Sequence, residues 1–191
     1  MLGVPRTVAL LGVVGLVLAA VLITANAGAI RLRIFPTADD AAIRSVIHAG
    51  FLELQTSTVP AQPVCPGPVP EAVQQRMLGD LHANLPRSFT EPALSRYMAL
   101  LGRNLSGACP VCSFGGGVSA VDLSSVSVSG AQAEARARVT SWDRVGQYQG
   151  NGRIVYAQPS GPQDCTIQLR KVSGAWLISD FVCTFPPGSG P

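Results

Sequence analysis

The chain has 191 residues, 47% hydrophobic and only 13% charged, with 14 Lys and Arg against 11 Asp and Glu for a formal net charge of +3. That length suits one ordinary domain beside a targeting segment and is too short for two comfortable cores. The weak, scattered positive charge excludes a nucleic-acid-binding face, which calls for clustered Lys and Arg.

Val8 to Ile23 carry no polar side chain, and no charge falls between Arg6 and Arg31. As a helix the apolar core spans roughly 24 Å and the uncharged stretch roughly 35 Å, long enough to act as a membrane signal. Two readings stay open. The core is longer than a cleaved signal usually needs, which favours a retained anchor, whereas Ala25-Asn26-Ala27 is an A-x-A site for cleavage before Gly28. The flanking charges do not set orientation, because Arg6 and the amino terminus face Arg31 and Arg33.

Thr37 to Asp40 resemble a capping box with Asp in place of the usual Glu, which opens a helix over residues 38–56. Ile43, Val46, Ile47, Gly50, Phe51 and Leu54 follow the spacing of one buried stripe, with His48 beside it as a core-edge residue. Residues 57–70 hold five prolines and form a loop, with Cys65 inside it. A second helix runs from about Pro70 to Ala83 with Val73, Met77, Leu78 and Leu81 inward; His82, near its end, has an ordinary role against the last carbonyls. A third runs from Glu91 to about Leu105, started by Thr90, with Leu94, Tyr97, Met98 and Leu101 at helical spacing.

Cys109-Pro-Val-Cys112 has redox spacing, but it lies between Ser106-Gly-Ala and Ser113-Phe-Gly-Gly-Gly117, with no helix after it to stabilise a thiolate. A structural bridge, within the pair or to Cys65, is therefore favoured over redox catalysis. Zinc is disfavoured by the lack of a nearby His. Five cysteines leave one thiol free or intermolecular.

From Gly115 onward the period becomes strand-like, giving strands at 118–128, 131–142, 153–158, 165–172 and 175–184. Ala133, Ala135, Ala137 and Val139 share one face of the second, and Glu134, Arg136, Arg138 and Thr140 the other. Around the Ser173-Gly174 turn, a three-residue loop pairs position i with 348 − i, so Cys165 faces Cys183 within disulfide reach. A two-residue loop would place Val182 opposite Cys165 and strain the bridge; two buried free thiols is the other alternative. A disulfide implies an oxidising, extracytoplasmic compartment, which is consistent with an N-in topology. Helices first and strands afterwards predict an α+β fold, about three helices packed on a curved antiparallel sheet.

The ending Ile167-Gln-Leu-Arg-Lys-Val-Ser-Gly-Ala-Trp176-Leu-Ile178-Ser-Asp180 is a strand, a short Gly turn and a W-x-I run. With the leading helix and the long meander, it resembles the NTF2-like, or cystatin-like cone, superfamily over residues 38–185. The chain departs from that pattern in its proline loop, its Cys109–Cys112 insertion and the lack of a recognisable strand between the second and third helices. The resemblance implies a curved sheet with the first helix packed into it. It implies either a membrane-anchored bacterial accessory protein of transport or secretion, or a small-molecule isomerase or dehydratase. Cations that are all Arg except Lys171, with abundant Ala, Gly, Pro and Val, point to a GC-rich bacterial genome.

The resulting organisation is a signal anchor or signal peptide at 1–30, a juxtamembrane linker at 31–37, an extracytoplasmic domain at 38–185 and a disordered tail at 186–191. No cofactor or metal is expected. One reading is a non-catalytic binding or scaffold module, held to a membrane by residues 7–30 or secreted after cleavage, that docks an envelope protein, a second copy or a small hydrophobic ligand. A second is an enzyme drawing a polar dyad from Asp80, His82, Tyr97, Asp143 and Asp180, with Tyr97 as hydrogen-bond donor and a carboxylate or His as base. A third is thiol-disulfide chemistry at Cys109 and Cys112.

Overall fold

The computed structural model describes residues 37–60, 69–106, 111–148 and 153–188. The chain divides into two units, Met1–Ala41 and Ala42–Pro191, and the described part of the first is Thr37–Ala41. There the capping box is formed. Thr37 Oγ1 accepts from the Asp40 N–H at 3.2 Å, and the Asp40 carboxylate accepts from the Thr37 N–H at 2.7 Å. Asp is one methylene shorter than Glu but still closes the reciprocal pair, and the helix it opens, α1 (Ala38–Thr56), has the predicted bounds.

In the second unit Ile43, Ile47 and Phe51 of α1 are buried, with Val46 and Leu54 packed beside them as the stripe predicts. His48 is exposed rather than at the core edge. The loop after α1 lies mostly outside the described residues. Helix α2 (Glu71–Asn84) buries Met77 and Leu81, and a 3-10 turn, Leu85–Arg87, extends it. Helix α3 (Ala93–Ser106) starts two residues later than predicted. The residues before it are engaged elsewhere: Ile178 N–H donates to Ser88 O at 2.8 Å, Thr90 N–H donates to Ile178 O at 2.9 Å, and Phe89 forms a parallel bridge with Ile178. This short pairing is the strand-like element between the second and third helices that the sequence did not reveal.

The strands among the described residues are β1 (Val111–Ser129), β2 (Gln132–Tyr148), β3 (Ile154–Ala157), β4 (Ser160–Val172) and β5 (Ala175–Thr184). They form an antiparallel sheet in the order β1-β2-β4-β5, with β3 pairing the far end of β2. Strand β1 begins seven residues earlier than predicted, taking in Cys112 and the run Gly115–Gly117. Glycines are poor strand formers, but here they are where other groups come closest. A Cβ at Gly117 would lie 2.7 Å from Trp142 Nε1, and the backbone carbonyl of Gln55 at the end of α1 presses on Gly116. The run leaves room for an indole and a helix end.

The register of β1 on β2 shifts at Phe114, Ser119 and Ser124, each an extra residue on β1. The hydroxyls of Ser119 and Ser124 donate to the carbonyls of Thr140 and Arg136 on β2 at 3.2 and 3.1 Å, replacing ladder bonds lost at two of the bulges. Repeated bulges on one strand bend and twist a sheet, and they protect its edge against pairing with other chains. Arg44 of α1 donates at 2.6 Å to the Val121 carbonyl on this strand.

Ala133, Ala135, Ala137 and Val139 of β2 face Ile167, Leu169, Trp176 and Ile178 and the helices in one core cluster that includes Ile43, Ile47, Leu81, Leu85 and Phe89. Each Ile that is removed from water contributes about 1.5–3 kcal/mol. The small β2 side chains and Gly50, whose added Cβ would sit 2.8 Å from Ile178 Cδ1, set how closely α1 nests on the sheet. The β4–β5 turn differs from the three-residue loop predicted. Ser173 and Gly174 both take positive φ, 50° and 87°, in a two-residue turn that pairs Val172 with Ala175. A bulge at Ser179 then moves the register back by one, so Cys165 still faces Cys183.

Candidate functional site

Where the sheet and helices meet, four aromatic rings form a cluster. Tyr97 of α3 lies parallel to Phe181 of β5 with centroids 5.0 Å apart; Phe181 meets Phe51 of α1 at 4.8 Å, and Phe89 meets Tyr97 at 5.8 Å. Arg96, one residue before Tyr97, sits 5.1 Å above the Tyr97 ring and pairs with Asp180 at 2.5 Å. The same Asp180 oxygen accepts the Phe181 N–H at 2.8 Å. Tyr97 and Asp180, two of the five candidates, are thus brought together through Arg96. Nothing in the sequence marks Arg96, because its partner is 84 positions away.

The electrostatics of this triad oppose acid-base work. The hydrogen bond from Arg96 holds the Asp180 carboxyl below the usual carboxylate range, helped by the Phe181 amide and only partly offset by burial. Burial pushes the Tyr97 phenol up, against the lowering effect of Arg96. A carboxylate made less basic beside a phenol made less acidic is a structural clamp more than a proton-transfer pair.

The remaining candidates lie apart from it. Asp80 and His82 are exposed on α2, and the Asp80 charge acts on half-buried Glu53, whose carboxyl is raised chiefly by burial, is lowered by Arg87 and is raised further by Asp80. Asp143 is half-buried on β2 opposite Gly116. Among the described residues no three His, Cys, Asp or Glu side chains gather as metal ligands would. Cys165 and Cys183 form the expected disulfide between β4 and β5. Cys65 and Cys109 lie outside the described residues, and Cys112 sits in β1 opposite Gly146.

The outer sheet face is a different kind of surface. Arg138 grips Asp164, its direct cross-strand neighbour, with two hydrogen bonds of 2.9 and 3.2 Å, and Gln168 donates to Glu134 at 2.9 Å. Arg136 stands 3.8 Å from Glu134. Together with Asp122, Thr166 and Thr184 the two Arg and Asp164 line an open groove of about 670 Å³. This face is charged, balanced and shallow.

No protein-family model matches the sequence, and no curated protein does. The intermembrane space region of the chloroplast protein ARC6 matches by structure, with a TM-score of 0.54 and 10% identity over 79% of this chain and 100% of that one. The likeness is one of fold. An NTF2-like protein involved in plasmid conjugation matches at a TM-score of 0.37 and 8% identity, over 77% of this chain and 49% of that chain. The α+β class, with three helices on a five-stranded antiparallel sheet among the described residues, is as expected. Among the described residues no helix is long and apolar enough to cross a membrane, and the predicted anchor lies outside them.

Proposed function

We propose that this chain is a non-catalytic docking module of NTF2-like type, directed to a membrane by its N-terminal segment, with the α+β domain on the oxidising side. What carries the reading is the filling of the sheet's inner face. Ile43, Ile47, Phe51, Leu81, Leu85 and Phe89 occupy the space where relatives with small-molecule chemistry would need a cavity, and the polar candidates do not converge there. The Cys165–Cys183 disulfide supports an extracytoplasmic site for the domain.

With the inner face taken, the outer face of β1, β2 and β4 offers an ordered polar surface to a protein partner. A row of Arg and acidic side chains on rigid strands gives orientation and specificity more than raw affinity. The test is in-cell cross-linking of the full chain, comparing wild type with Arg136→Glu/Arg138→Glu. The expected result is an envelope protein captured by the wild type and lost from the variant, with the thermal midpoint of the variant lowered by only a few degrees because the new carboxylate at position 138 would then face Asp164. Equal capture by both would remove the outer face from the reading, and turnover of an isomerase or dehydratase substrate would end it.

A further inference from the structure

At the end of the sheet beyond Trp142, β1, β2 and β3 continue without β4 and β5, since β2 pairs β4 only as far as Trp142–Ser160. Val145–Gln147 of β2 lie between the start of β1 and β3, and Tyr148 pairs with Ile154 of β3. This three-stranded tip has an unusual surface. Tyr156 is 62% exposed and Val155 40%, and as successive strand residues they point to opposite faces. Phe114, from the first bulge of β1, meets the Tyr156 ring edge-on at 5.3 Å.

The charge pattern matches. Residues 104–121 contain no charged side chain, and residues 143–163 contain Arg144 and Arg153 with Asp143 as their single carboxylate. The outer face of the same sheet, by contrast, sets Glu134, Asp122 and Asp164 among its Arg residues. An aromatic and aliphatic tip on two faces, with two Arg against the single, half-buried carboxylate of Asp143, is the chemistry of a surface that sits among lipid headgroups. Tyr rings favour the interface and Arg meets phosphate there.

We propose that this tip, centred on Phe114, Val155, Tyr156 and Arg144, contacts the lipid surface of the membrane to which the N-terminal segment directs the chain, preferring anionic headgroups. The inference rests on the membrane reading given above. The chain itself favours this occupant. Thirteen residues separate Ile23 from Thr37, a tether of at most roughly 45 Å. That is similar to the width of a domain of this size, so an anchored chain keeps its domain within reach of the bilayer.

The test uses the full chain with unlabelled vesicles of phosphatidylcholine or of phosphatidylcholine with about one-third phosphatidylglycerol, and matched vesicles of brominated lipid. Tyr156→Trp is the reporter. It replaces an exposed residue, and the wild type supplies the background of Trp142, half-buried against Gly117, and buried Trp176. Val155→Trp is the second reporter, for the other face. The expected result is flotation with the vesicles and a bromolipid quench of about twofold at the new Trp in anionic vesicles. Quenching should weaken in phosphatidylcholine alone and with Arg144→Glu added. Flotation with no quenching at either reporter overturns the tip contact and leaves the anchor standing, and so does a tip shielded by a second copy, seen as reporter-site cross-linked dimers. Failure to float at all overturns both.

Discussion

Two glycines in the helices make a stringent test of how α1 is seated. Gly79 of α2 has nothing within 4 Å of where a Cβ would lie, whereas a Cβ at Gly50 of α1 would meet Ile178 Cδ1 at 2.8 Å and the Phe89 ring at 3.1 and 3.2 Å. Replacing a mid-helix Gly by Ala stabilises by about 0.5–1 kcal/mol where space allows, through backbone entropy. Gly79→Ala should gain that amount. Gly50→Ala should gain it too but must force apart two residues that are 0–1% exposed, at an overpacking cost of about 1–3 kcal/mol. The net runs from about zero to a loss of about 2.5 kcal/mol. For a domain of this size each kcal/mol shifts the midpoint by about 2–4 °C. Thermal unfolding followed by circular dichroism should therefore show Gly79→Ala a few degrees above wild type and Gly50→Ala at or below it. If both rise by the same amount, α1 does not lie against Phe89 and Ile178, and the account of the filled inner face is wrong.

Two other expectations follow from the β5 strand. Replacing Cys165 and Cys183 together by Ala should cost about 3 kcal/mol, the loop-closure entropy of a link spanning 18 positions. Urea unfolding should place the midpoint of the double variant well below that of the oxidised wild type, and an unchanged midpoint would mean the bridge constrains nothing. For Asp180 the folded carboxyl is held below its ordinary value, so its contribution is complete above about pH 4 and is lost as pH falls through the folded value. Because the pair is about half exposed, the effect is under about 1 kcal/mol. Asp180→Asn should be less stable than wild type at neutral pH and converge with it as pH falls below about 4, and parallel pH curves would refute the clamp.

Elements with a strong local signal were legible in the sequence. Helix α1 was bounded by a capping box at one end and a single apolar stripe along its length, and β2 by strict alternation of Ala and charged side chains. Elements whose form depends on distant groups were not. The start of β1 lay outside the predicted strand because Gly115–Gly117 have no strand preference of their own; Trp142 and the end of α1 supply the reason for them. Thr90 read as a helix start, but its amide is bound to Ile178. The Cys165–Cys183 pairing was correct although the turn was not, since a two-residue turn and the bulge at Ser179 offset each other. The candidate site was the least legible part. Tyr97 and Asp180 were named, but Arg96, which joins them and alters their proton affinity, gave no signal in one dimension.

The bulges of β1 also define a path length. With three extra residues, this edge strand is about 10 Å longer than the stretch of β2 beside it, as the outer lane of a bend is longer than the inner one. The curvature is therefore written into a difference in residue count between neighbouring strands. It is visible in the spacing of the apolar residues at Val118, Val121, Leu123, Val126 and Val128, where intervals of three alternate with intervals of two. Deleting one residue at a bulge, Ser124 for instance, would bring Leu123 and Val126 to the two-residue interval of a regular strand and straighten the lane locally, with every cross-strand pair kept on its present face.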